Sequence, residues 1–500
     1  MLLRILQASI VVGIVALPQG SSGDESIRPI LATPLDDVPA SAYAQMATCP
    51  KQMPLPRRQP AVAPERFVLT RCHGGINQQR VQIAESAAAA YYLNATLIVP
   101  ELLVHHWWND SFRFEELFDE QYFVQQMRRI GVPTVTHREL PNGFVRGWYK
   151  ECMRAPRTPD SGRISKVCAR HRVSPTKKVS SFKKMAEMVV AKGWEEYGVV
   201  HLDVLDRLNR DIDPEPLEPA LRFIQCFANY RALRPIAPVR SVVSFITKAL
   251  PPDVVAVHLR QELDTLAISG CVSAGEPRYA EAEAVIAAWG GWGAAPMRGA
   301  TENLKKHGSA GELRRLGKCG VGPSQAVEVL KAAGFYGGAA ADERGKRPAT
   351  VYLAGGDEHQ VRAFESFGYV VREKHALISQ GVRASGQDPR PVLERLKRHA
   401  SVGAFIDAEV AARAAVYLYA KGNFDRVVRG LRARRNLPSA ATHLYFPCFE
   451  RGDLEEKVAK HLRMRADSEA RDGAKEIAVY HNPGGTKPFM GCYCLKVDVW

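Results

Sequence analysis

The sequence lacks most of the short signatures that would assign chemistry at once. It has no His-Glu-x-x-His pair for zinc and no paired Cys-x-x-Cys, so a bound metal is not expected. Gly484-Gly485-Thr486-Lys487 lacks the spacing of a Walker loop, and Gly74-Gly75 is not the Gly-x-Gly-x-x-Gly of a dinucleotide fold. Aromatic residues are few among the basic residues from Lys150 to Lys184, where an RNA groove would need stacking platforms. That stretch reads as a solvated basic face, and nucleic acid is not an expected partner. The apolar run from Ile5 to Leu17, ended by Pro18, is short of the roughly 17 to 25 residues a spanning helix needs. It is closer to the apolar region of a signal peptide, so residues 1–20 are expected to be a cleaved signal or a short membrane anchor.

What is present bounds the molecule. Five hundred residues, 46% of them hydrophobic, suffice for two globular domains. Lys and Arg number 68 against 53 Asp and Glu, a net charge of +15 that favours anionic partners such as nucleotide sugars, acidic polysaccharides or membranes. Ten cysteines fit an oxidising compartment, although their pairing is not readable. Asn94-Ala95-Thr96 and Asn109-Asp110-Ser111 are glycosylation sequons that agree with lumenal placement. In the tail, Cys492 and Cys494 suggest a disulfide rather than a zinc site, and His105-His106-Trp107-Trp108 read as core and rim residues.

Residues 21–64 are rich in Pro, Ser and Ala and read as a stem. Beyond it, Phe67–Leu69 reads as a strand, His73-Gly74-Gly75 as a turn, Gln78 to Tyr92 as a helix and Leu97–Val99 as the next strand. The glycines let backbone N–H groups and a helix N-terminus approach a ligand, and Asn77 either adds a bidentate amide there or caps the helix. A helix from Leu217 to Leu233 is followed by Pro235 and Pro238, a hinge that separates domains at 65–236 and 237–500. A helix around Ser241 to Leu250 then leads to Val254–Val257, a buried strand that opens at His258, Leu259 and Arg260, with Asp264 four residues on. Ligands of open α/β sheets lie beyond such strand ends, where Arg260 would offer its five-donor fork to a phosphate and Asp264 would orient it; the alternative is a surface ion pair. Helices Pro277 to Trp289 and Ser324 to Ala333 and a strand at Ala349–Ala354 come next. Asp357, after Gly355-Gly356, either meets a ribose hydroxyl or N-caps the helix from Glu358 to Ser366. Ser401 to Arg432 reads as strand, helix, strand, loop, helix, with Asp407 at the first strand-to-helix edge and Gly422-Asn423-Phe424 at the second.

Read together, "CHGGINQQR", "LNATLIVPEL", "FRFEELFDEQYFV", "FIQCFANYRALRP", "HLR" followed by Asp and "ISGC", "YLA", and the closing "HNPGG" resemble the plant-type branch of the protein O-fucosyltransferase-like family. The resemblance runs from about Arg66 to the C-terminus. It implies a GT-B fold, two Rossmann-like α/β domains facing a cleft, and an inverting, metal-independent glycosyl transfer. It implies catalytic roles for Arg260, Asp264 and Asn77, and donor contacts at Gly74, Gly75, His258, Asp357, Asp407, Gly422, Asn423 and Phe424. It implies a protein or polysaccharide hydroxyl as the acceptor. His73 and, more weakly, Glu262 are the candidates for its base.

Two donors fit the resemblance: GDP-fucose for a fucosyltransferase, or UDP-rhamnose for the members that build pectin. It further implies a Golgi membrane location with a lumenal domain. The last motif departs from the family. Plant-type members carry Glu-Ser-Asp before an Asp-Gly-Asn-Met turn, where this chain has Arg413, Ala414 and Lys421. A decayed member that serves as a binding protein is therefore the alternative to an enzyme.

Overall fold

The computed structural model describes residues 66–103, 112–154, 172–173, 182–191, 198–203, 219–260, 305, 309, 322–343, 345, 347–388, 390–419, 423–434 and 443–445. Two parallel sheets organise them. In the first, β1 (Phe67–Cys72) pairs with β2 (Thr96–Ile98), β3 (Glu101–Leu102) and β6 (Val199–Asp203), with β4 (Thr134–Val135) outside β2 and β5 (Arg172–Val173) outside β6. All six residues of β1 are buried, as a strand covered on both faces requires. In the second, the order is β11 (His443–Tyr445), β10 (Val416–Tyr419), β7 (Val255–His258), β8 (Thr350–Leu353), β9 (Val370–Arg372), again parallel throughout.

Read from β9 across to β11, the second sheet runs third, second, first, fourth, fifth in chain order. That is the Rossmann order, and the direction of winding reverses between β7 and β10. Helices can cover only one face on each side of such a reversal, which leaves a crevice beyond the strand ends. The first sheet reverses likewise between β1 and β6. The architecture is α/β and GT-B, with the crevice strands being the ones that carry the Gly74-Gly75 and His258–Arg260 segments.

The helices explain how these strands are held. Helix α1 (Ile76–Tyr92) follows β1, α2 (Glu120–Arg129) precedes β4, and α3 (Pro219–Phe227) packs along α1. The helix expected to run on to Leu233 changes form: Ala228–Ala232 is a π-helical turn. Its wider winding turns both the side chain and the backbone of Asn229 toward the buried Arg80, whose Nε donates to Asn229 Oδ1 at 3.2 Å and whose Nη2 donates to the Asn229 carbonyl at 2.6 Å. Helix α4 (Ala237–Ala249) carries Pro238 in its first turn, where a missing N–H costs nothing. Pro235 forms a backbone bridge with Phe118, and Arg234 pairs with Asp119 at 2.6 Å, so the segment between the sheets is tied down on both sides.

In the second half come α5 (Pro323–Ala332), α6 (Glu358–Ser366), α7 (Lys374–Ala384), α8 (Ala400–Ala411) and α9 (Asn423–Arg434). The expected strand at the start of Ser401–Arg432 is instead the first part of α8. Ten of its residues are buried, so the apolar run shows no one-sided period and resembles a buried strand in composition; its length decides for a helix. Helix α8 is enclosed because α4, α9 and the N-terminal α1 all pack on it. One apolar cluster therefore spans both halves, with Phe118 meeting Phe405 edge-on at 5.5 Å and Arg80 lying over the Phe405 ring. At Gly430 of α9, a Cβ would stand 2.1 Å from the Tyr230 ring, so only glycine permits that approach.

Candidate active site

Helix α1 begins under the first crevice. Gly75 is its N-cap, and Gly74 has φ +87°, a left-handed conformation open to glycine. Three glutamines that the sequence reading passed over hold this loop. Gln78 Oε1 accepts from the Gly75 N–H at 2.8 Å, Gln79 Nε2 donates to the Gly74 carbonyl at 2.8 Å and to Leu103 at 3.2 Å, and Gln82 bonds both the N–H and the carbonyl of His73. The Gly75 N–H expected to reach a ligand is thus occupied by Gln78. The signal was available: polar residues recur through a helix whose faces are nearly all buried.

Because Gly75 caps α1, Asn77 does not. Asn77 is buried, and its Oδ1 has no hydrogen-bond partner among the described residues. A buried amide oxygen left unpaired is unfavourable unless something else meets it, which makes Asn77 a candidate for substrate contact. Asn77→Ala is expected to leave the melting temperature nearly unchanged, within about 1 kcal/mol of stability, while slowing transfer on the order of 100-fold. Parallel melting and turnover measurements check this; a large stability loss would make Asn77 structural.

At the second crevice, His258 ends β7 and is buried. Its Nδ1 lies 2.7 Å from Asp425 Oδ1, and its ring packs 4.4 Å from that of Phe424. Tyr417 on β10 donates its hydroxyl to the same Asp425 oxygen at 2.5 Å; burial, then the charge of Asp425, pushes that hydroxyl well above the usual tyrosine range. Two residues beyond His258, Arg260 is half-buried with φ +56°, a left-handed conformation that a non-glycine residue adopts at a cost of roughly 1 to 2 kcal/mol. Asn423 opens α9 as expected. Asp264, Gly422, Lys421, Glu262, Asn109, the His105–Trp108 run, the Pro277–Trp289 helix and the cysteine-containing tail lie outside the described residues.

Two expected donor contacts have other work. Asp357 is exposed and caps α6: its Oδ1 accepts from the Gln360 N–H at 2.8 Å, and Gln360 Oε1 returns a bond to the Asp357 N–H, so the capping alternative holds. Asp407 does not sit at a strand-to-helix edge but inside α8, where it is buried. Its Oδ1 accepts from the Tyr352 hydroxyl at 2.7 Å, and its Oδ2 accepts from the Gly355 N–H at 3.0 Å and from Lys374 Nζ at 2.6 Å. Asp407 thereby fixes the turn after β8 from beneath. Arg413, at the departure from the family motif, is paired with Glu409 one helical turn back at 2.7 Å. Among the described residues no group of three or more His, Cys, Asp or Glu could hold a metal ion.

The family model "GDP-fucose protein O-fucosyltransferase" matches residues 67–435. Among curated proteins, O-fucosyltransferase 38 of Arabidopsis thaliana is 26% identical over 81% of this chain and 68% of its own length. Rhamnogalacturonan I rhamnosyltransferase 1 of the same plant is also 26% identical, over 73% of this chain and 64% of its own length. Among solved structures, POFUT1 in complex with GDP-fucose is similar at 14% identity, with a TM-score of 0.40 over 77% of this chain and 99% of that one. The fucosyltransferase NodZ from Bradyrhizobium is similar at 13% identity, with a TM-score of 0.38 over 73% and 91%.

Proposed function

The chain belongs to the GDP-fucose protein O-fucosyltransferase family, a family of glycosyltransferases, and from that premise we propose that it transfers fucose, with inversion, from GDP-fucose to a protein or glycan hydroxyl. When the nucleoside diphosphate departs, the sugar becomes oxocarbenium-like and negative charge grows on the diphosphate. A fixed cation aimed at that charge is the largest help a site can give. The observation that carries the reading is Arg260, held in a left-handed backbone conformation where the winding of the second sheet reverses. Backbone strain of this kind persists where the surroundings over-determine it, as at ligand clamps. Asn77 would meet the sugar from the other half, and His73, whose backbone Gln82 braces, is the candidate base for the acceptor.

Rhamnosyl transfer from a UDP sugar is the second reading, favoured by rhamnosyltransferase relatives at 26 to 27% identity. A thermal-shift comparison of the full chain with GDP, UDP and their sugars separates the two. Stabilisation by GDP and GDP-fucose alone is expected, since a ligand that binds only the folded state raises its melting temperature. Selective response to UDP would favour rhamnosyl transfer, and no response to either would favour a decayed binding protein.

We place the protein in the secretory lumen at the Golgi, with residues 1–20 as a cleaved signal or a short membrane anchor. Support comes from Cys152 and Cys226, which are disulfide-bonded, and from Asn94, which is exposed in a turn at φ +50°. Among the described residues no helix is long and apolar enough to cross a membrane. Thr96 of that sequon is buried in β2, so glycan must be added before the strand folds. Expression in a eukaryotic host should give a mass shift on glycosidase treatment that Asn94→Gln and Asn109→Gln together remove. A glycan-free chain with all thiols reduced would overturn the placement.

A further inference from the structure

His258 and Asp425 sit on adjacent strand ends at the reversal point, one closing β7 and the other in the first turn of the helix after β10. The carboxylate of Asp425 is almost wholly buried, and its Oδ2 has no hydrogen-bond partner among the described residues. A buried carboxylate needs a countercharge. Tyr417 cannot supply one, since its hydroxyl stays a neutral donor. Of the other charged groups on the packed elements, Arg432 of α9 donates to the carbonyls of Ala411, Ala414 and Ala415, and Arg429, one turn on from Asp425, lies over the Tyr419 ring. On β10, Tyr419 stacks on Tyr417 and lies under Arg429; on β8, Tyr352 is bonded to Asp407, which Lys374 neutralises. Arg260 lies two residues beyond the end of β7. Within ion-pair distance of Asp425, the described group able to become a cation is His258.

The chemistry of the imidazole makes this consequential. Nδ1 must carry a proton to bond Asp425. In the neutral ring Nε2 would then be an acceptor, which repels a phosphate oxygen; in the imidazolium it is a charged donor, which binds one. We propose that Asp425 is a positioning residue that keeps His258 doubly protonated, so that the β7 edge offers the donor's diphosphate a charged imidazole donor beside the Arg260 guanidinium. This rests on the diphosphate-binding reading of that edge and deepens it. Phe424 packs against the imidazole at a 41° tilt, and the first turn of α9 favours the carboxylate.

The test is GDP and UDP titration of the full chain and its Asp425→Asn variant at pH 7.5 and 5.5, with nitrogen-15 spectra of histidine-labelled protein. Asp425→Asn should weaken diphosphate binding about tenfold at pH 7.5, as for one lost charge-assisted hydrogen bond. It should recover at pH 5.5, where solvent protonates His258 without the carboxylate; a merely structural defect would not recover. In the spectra, the His258 signal, identified by its loss in His258→Gln, should report two protonated nitrogens in the parent at pH 7.5. A neutral His258 in the parent overturns the proposal, as does a variant whose binding equals the parent's or is weakened equally at both pH values. Should the parent bind neither nucleotide, the donor reading fails, while the His258 signal still decides the protonation. The same signal decides if Asp425→Asn does not fold.

Discussion

Arg260→Ala is expected to abolish turnover almost completely, raising the barrier by about 3 kcal/mol or more, as loss of other preorganised charge stabilisers does. Arg260→Lys should rescue little, because an ammonium is a point charge and cannot reproduce the paired N–H donors of the guanidinium. The backbone adds a sharper expectation. Since Arg260 occupies a left-handed conformation, glycine suits the position better than arginine. Arg260→Gly should be as inactive as Arg260→Ala yet melt above it, since Arg260→Ala keeps the backbone cost. Turnover and melting measured on the three variants beside the parent decide it. An Arg260→Ala variant with normal turnover would remove Arg260 from the mechanism, and one that failed to fold would make it a structural ion-pair partner.

Breaking the pair beneath the second sheet should have the largest effect on stability. Lys374→Met leaves Asp407 buried with Tyr352 and the Gly355 N–H but no countercharge, at a cost of about 3 to 5 kcal/mol. Asp407→Leu with Lys374→Met should recover most of that, because a fully apolar replacement leaves no charge stranded. Nucleotide affinity below the melting transition should survive Lys374→Met. If Asp407 were a direct donor contact, as the family resemblance implies, Asp407→Asn would instead lose affinity with little change in melting. Denaturation and nucleotide titration on the same variants separate the outcomes.

The sequence disclosed strands better than side-chain partnerships, for a physical reason. Short apolar runs bounded by glycine or a charge, such as those ending at Cys72 and His258, have few ways to be buried, so the crevice strands and their loops were legible. Ser401–Ala411 was misread at its start because a helix buried on every side carries no period to distinguish it from a strand. Asp425 and Lys374 act through contacts made by folding: Lys374 and Asp407 are 33 residues apart, and His258 and Asp425 are 167 apart. No local spacing encodes such pairs. At Asp357 capping and ribose binding ask for the same carboxylate, so the sequence offers both; in the fold its Oδ1 accepts from the Gln360 N–H.

The apolar cluster shared by the two halves changes what nucleotide binding would mean for the molecule. With Phe405 of α8 wedged against Phe118 and Arg80, neither sheet can lose its packing without exposing the other's. Protection gained at the β7 edge would therefore be felt as slower hydrogen exchange in β1 and β6, where no part of the nucleotide needs to touch. A truncated second half, cut away before α4, would expose the Phe405 side of that cluster to water and would be prone to self-association.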